Sequence, residues 1–127
     1  MNIKKSIIGS LFSMLLVSEM ALADWGDVYY CQMTNYIEIW PKGETPPRKL
    51  EKFQFKLDQT KNAMVFGSTG FFRSDVPELD DLWGRVSQET WKANNEDSMT
   101  TFSDGEFLYT RIGFLSATVV SADCEKF

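Results

Sequence analysis

From residue 27 onward the chain breaks into short runs in which apolar positions recur every second residue, the spacing that turns one face of a β-strand toward a core. Leu50 to Leu57 is the clearest run: Phe53, Phe55 and Leu57 fall on one face, and Lys52, Gln54 and Lys56 on the other. Asp58 to Asn62 then reads as a turn and Ala63 to Phe66 as the returning strand of a hairpin. Upstream, Asp27 to Met33 is rich in β-formers, and Asn35 to Trp40 alternates around Glu38. Between these runs and Leu50, the segment Pro41 to Pro47 holds three prolines and a glycine, which cannot sustain a ladder and predict an exposed loop.

Gly67-Ser68-Thr69-Gly70 predicts a bend or bulge before Phe71 and Phe72. It does not read as a phosphate cradle, because no Lys-Ser/Thr pair and no helix follow it. Residues 74–84 are acidic and predict at most one short helical turn, with Pro77 suited to a first helical turn and Ser74 or Asp75 to its cap. Further strands are expected at Gln88 to Ala93 (carrying Trp91), Met99 to Phe102, Phe107 to Ile112 and Phe114 to Ala122, with Asn94 to Asp97 as a polar turn. Asp104-Gly105 between two apolar runs predicts a hairpin whose two central residues both take positive φ. About seven to nine short strands with at most one helical turn predict an all-β, mainly antiparallel fold, either a small barrel or a sandwich.

The first residues carry a different pattern. Lys4 and Lys5 precede an apolar run from Ile7 to Val17, and Ala21-Leu22-Ala23 offers a small-x-small cleavage site. That order predicts a secretory signal peptide over residues 1–23, with Asp24 opening a single β-rich domain over 24–127. The run is shorter than the ~20 apolar residues of a membrane span, so no transmembrane segment is expected in the mature chain. Of 13 basic and 18 acidic residues the signal takes Lys4, Lys5 and Glu19, leaving 11 and 17 and a net charge of −6. A surface of that sign argues against nucleic acid, whose phosphates need clustered Lys and Arg.

Export to the periplasm or beyond places Cys31 and Cys124, the only two cysteines, where thiols pair. A bridge between them draws the first and last strands to a Cα separation of about 5–6 Å. With no histidine in the chain, Ser-His-Asp and Cys-His catalysis and His-ligated zinc are excluded. No cofactor is expected. Carboxylate chemistry survives, which leaves a hydrolase of sugars or cell-wall material as the alternative function. Asp75, Glu78, Asp80 and Asp81 form the densest acidic cluster, a solvated loop without the ligand order of an EF-hand. Of the four tryptophans, Trp40 beside the proline loop and Trp83 beside the acidic loop are the candidates for a binding surface, against the plainer reading that both pack in the core. The function these features point to is a non-enzymatic exported module that binds a small ligand or a protein.

The segments Tyr29 to Thr34, Phe66 to Phe72, Asp104 to Phe107 and Ala122 to Phe127 resemble a group of small exported proteins of marine bacteria. The resemblance covers most of the mature chain and implies a recurring disulfide-closed domain; it carries over no functional residue. More loosely, an early Tyr-x-Cys and a late Cys are similar to the small periplasmic lysozyme-inhibitor barrels, a likeness of architecture.

Overall fold

A computed structural model of the chain describes residues 23–79 and 90–127. Eight strands, β1 (Val28–Ile39), β2 (Lys52–Asp58), β3 (Ala63–Phe66), β4 (Glu78–Leu79), β5 (Thr90–Asn94), β6 (Ser98–Ser103), β7 (Glu106–Ile112) and β8 (Ala117–Lys126), pair antiparallel in chain order. β8 returns to β1 and closes a barrel. The choice between barrel and sandwich is therefore settled: the first and last strands pair with each other instead of ending as the outer edges of open sheets.

The alternation in β2 sets its faces as the sequence implies. Phe53, Phe55 and Leu57 are 8%, 1% and 0% exposed, while Lys52, Gln54 and Lys56 stand in solvent. An eight-stranded barrel has an interior just wide enough for side chains to fill. Here the filling is aromatic: Trp91, Phe55, Phe72, Phe102 and Phe107 are fully buried. Their rings meet at centroid distances such as 5.1 Å for Phe55–Phe102 and 5.4 Å for Phe72–Phe107. Tyr29 stacks on Phe55 at 5.5 Å and joins them.

Each end of this core has a cover. At the end where β1 begins, Trp25 stands edge-on to Trp91 with centroids 4.9 Å apart, and the Gly26 amide ties that turn to the Leu57 carbonyl at 2.7 Å. Ala23, the residue before the expected cleavage point, packs against the same cluster. At the other end, the β3–β4 connection folds back over the barrel. Ser74 N–H bonds to Gly67 C=O at 2.8 Å, and the loop so closed sends Phe72 down among Phe53, Phe66, Phe107 and Tyr109.

Several boundaries differ from those expected. The two runs before the proline loop are one strand, β1, because a bulge between Met33 and Asn35 absorbs the extra residue and lets pairing with β8 continue to Ile39. The expected helical turn is absent from the described part of residues 74–84. Met64 N–H bonds to Pro77 C=O, and Glu78 and Leu79 pair with β5, so the barrel ladder takes the groups a helix would use. β2 starts at Lys52, leaving Leu50 exposed outside it. The last strand begins at Ala117, not Phe114, and runs through Cys124 to Lys126. The Asp104-Gly105 hairpin is as predicted, with φ of 49° and 76° at its two central residues.

The Cys31–Cys124 disulfide is formed. Its Cα atoms are 4.0 Å apart, closer than the expected 5–6 Å, for a reason that lies in the ladder. Cys31 sits directly opposite Cys124, and Phe127 N–H bonds to Val28 C=O three residues away, which by alternation makes the cysteines a non-hydrogen-bonded pair. In such pairs opposed Cα atoms approach to about 4.5 Å. No helix among the described residues is long and apolar enough to cross a membrane.

Candidate functional site

With an aromatic core packed inside the barrel, the candidate site is sought on its surface. Chain direction places four connections at the end where β1 finishes: residues 40–51, 67–77, 95–97 and 113–116. Ile39 and Ile112 both pair with Ala117, which sets the ends of β1, β8 and β7 side by side. Gly113 N–H bonds to Ser116 C=O at 2.7 Å and closes the β7–β8 turn, so Phe114 and Leu115 can point only outward. Phe114 is 98% exposed and Ile112 74%, with Leu115, Ile39 and Trp40 also exposed. A monomeric domain rarely shows large apolar side chains in so tight a group without a use for them.

Trp40 is held in place. Its amide bonds to Glu44 C=O at 3.0 Å, and Gly43 N–H returns to Trp40 C=O at 2.8 Å, a turn that needs the φ of +83° at Gly43. The indole Nε1–H donates to Glu38 Oε1 at 2.7 Å, and Arg48 Nη2 donates to the same oxygen at 2.7 Å. The Arg48 hydrogen bond, more than any other neighbour, holds the Glu38 carboxyl below its usual pKa. Across the mouth, Arg111 Nε donates to Asp97 Oδ2 at 3.0 Å. Between them lies an open groove of about 300 Å³, lined by Glu38, Trp40, Phe71, Arg111, Phe114 and Thr118 among others. Its floor is Phe71, edge-on to Tyr36 and Tyr109.

Of the two tryptophans proposed as binding residues, Trp40 is therefore exposed on this rim, and Trp83 lies outside the described residues. The acidic cluster is divided in the same way: Asp80 and Asp81 lie outside the described residues, and no group of three potential metal ligands occurs among the described ones. Phe114, Leu115 and Ile112 were not legible as site residues, since a run such as Phe114-Leu115 reads as strand core. The signal that marks them as a turn is the flanking pair Gly113 and Ser116.

Asp75 stands near the same mouth. Burial pushes its carboxyl above the usual 3.8; the Arg111 cation opposes the rise and the Asp97 anion adds to it. A raised folded pKa means that the contribution to stability is full below the unfolded value and is lost as pH rises through the folded one. At pH 7 the ionised carboxyl thus weighs against folding. Asp75→Asn is expected to raise Tm at pH 7 and leave it unchanged near pH 3, as read by circular dichroism melts. A lower Tm at pH 7 would show that attraction to Arg111 outweighs burial.

No family model matches the chain, and neither a curated protein nor a solved structure is significantly similar to it.

Proposed function

We propose that the chain is an exported, non-enzymatic binding module, periplasmic or secreted, whose partner is a protein engaged through the rim of Trp40, Ile112, Phe114 and Leu115. The observation that carries this reading is the division of the aromatic residues. The interior is packed with rings, which speaks against a small ligand held inside, while exposed apolar side chains gather at one end, on the turns after β1 and β7 and at the last residue of β7. Trp and Phe anchors on fixed turns lose little side-chain freedom on docking, which is where interfaces concentrate their energy. The signal-like N-terminus and the disulfide support an oxidising, exported location. The likeness to small exported proteins of marine bacteria agrees with that location.

The carboxylate-hydrolase alternative needs two facing carboxyl groups. Among the described residues lining the groove, Glu38 is the single carboxylate, and one of its oxygens already accepts from Trp40 and Arg48. Two measurements test the proposal. Tagged protein carrying Phe114→Ser with Leu115→Ser should fold with an unchanged Tm, because both side chains are exposed, yet lose the partner that the wild-type protein retains from its native compartment. Retention by both proteins alike would overturn the rim assignment. A glycosidase and peptidoglycan-hydrolase panel should give no turnover; activity abolished by Glu38→Gln would replace the proposal with the hydrolase reading.

A further inference from the structure

The barrel wall has a gap. The β1–β2 register pairs Val28 with Lys56 and Gln32 with Lys52. Continued residue by residue, it sets Met33 opposite Glu51 and Trp40 opposite Glu44. At both of those places a backbone bond does form, Met33 N–H to Glu51 C=O at 2.9 Å and Trp40 N–H to Glu44 C=O at 3.0 Å. Between these ties no backbone bond joins residues 34–39 to residues 45–50 among the described residues, and β1 is paired there with β8 alone. The same register places Pro46 and Pro47 opposite Glu38 and Ile37. Proline has no N–H to give, so the segment 45–50 follows β1 as a strap without completing the ladder. Its recorded side-chain hold on β1 is the Arg48–Glu38 bond at 2.7 Å, from an arginine that is itself exposed.

An unpaired edge presents a row of N–H and C=O groups at strand spacing, a demand that another extended chain can meet in full. The side chains along it state what that chain should carry. Ile37 and Ile39 are exposed and face outward, while Tyr36 and Glu38 face the barrel mouth. A strand added here sets its alternate residues beside these two pairs, because cross-strand neighbours share a face. Apolar residues suit the isoleucines. A cation suits Glu38, whose present cation, Arg48, leaves with the strap.

Resting on the reading of the chain as a protein-binding module, we propose that Asn35–Ile39 is a strand-docking edge. An extended segment of the partner, alternating apolar and basic residues, displaces the strap of residues 45–50 and pairs with β1. Trp40 and the Phe114-Leu115 turn stand at the end of that edge and meet the partner beyond the added strand.

Amide hydrogen exchange on the intact, disulfide-closed protein tests this, with two synthetic probes: a short peptide of alternating Val and Lys, and its Val and Glu counterpart. In the free protein, alternate amides within Asn35–Ile39 should exchange fast while those of Met33 and Trp40 are protected. The Val/Lys peptide should protect the fast ones, and the Val/Glu peptide should not. Arg48→Ala, which frees the strap and leaves the Glu38 carboxylate in place, should strengthen the Val/Lys peptide by about threefold to fivefold. If the alternate amides that face away from β8 are already protected in the free protein, or respond to neither peptide or to both alike, the docking edge is overturned. If that happens while the Phe114→Ser, Leu115→Ser protein still loses its partner, the rim reading stands without the edge. If the partner is kept as well, both readings fall.

Discussion

Phe55→Ala is expected to cost about 3–5 kcal/mol of stability, the range for truncating a buried aromatic ring. Phe55 is 1% exposed and lies at the crossing of the core, with Tyr29, Phe66, Phe102 and Phe107 within ring-contact distance. Rings in this array lean on one another from different strands, so the space left by one cannot be refilled by small movements of its neighbours. In a domain of this size such a loss lowers Tm by about 15–30 °C. Lys56→Ala, one residue along the same strand, should stay within about 0.5 kcal/mol of wild type because its side chain is in solvent. Urea unfolding of the two variants measures the difference, and equal costs would mean that the faces of β2 have been assigned the wrong way round.

Removing the disulfide should have an effect of similar size. Cys31 and Cys124 are 93 residues apart in sequence, so the bond restrains almost the whole unfolded barrel. The chain-entropy account values such a loop at about 4–5 kcal/mol, and losses of native disulfides run at about 2–5 kcal/mol. Its position adds to this, because β1 and β8 are the strands whose pairing closes the barrel. The Cys31→Ala, Cys124→Ala protein is expected to unfold at a lower urea midpoint with a slope at least as steep, since its unfolded chain exposes more surface. An unchanged midpoint would show that the β1–β8 ladder closes the barrel unaided.

How much of this could be read from the chain follows from the range of each signal. The faces of β2, the Asp104-Gly105 hairpin and the pairing of the two cysteines rest on period-two alternation, on positive φ and on compartment chemistry, all of which are local or composition-level. The length of β1 was not legible, because a bulge at Thr34 resets the alternation and makes one strand look like two. By sequence Glu78-Leu79 suits a helical turn, because Pro77 fits a first turn equally well and only the place of these residues between β3 and β5 decides. Phe114 is the sharpest case. A phenylalanine beside leucine belongs in a core by composition, and its exposure follows from the Gly113–Ser116 closure, a local turn whose only mark in the sequence is the flanking glycine and serine. The proline-rich neighbourhood marks Trp40 in the sequence, but not that its indole and Arg48 both donate to Glu38 Oε1.

Site-specific photocrosslinking reads directly where the partner touches the protein. A photoreactive phenylalanine analogue at position 114, on the rim, is compared with the same group at Leu108, exposed on the barrel wall, and at Lys61, in the turn at the opposite end. Irradiated in its native compartment, the protein should give one discrete protein adduct from position 114 and none from 108 or 61. Adducts from 61 or 108 with none from 114 would contradict the assignment of the rim as the binding surface.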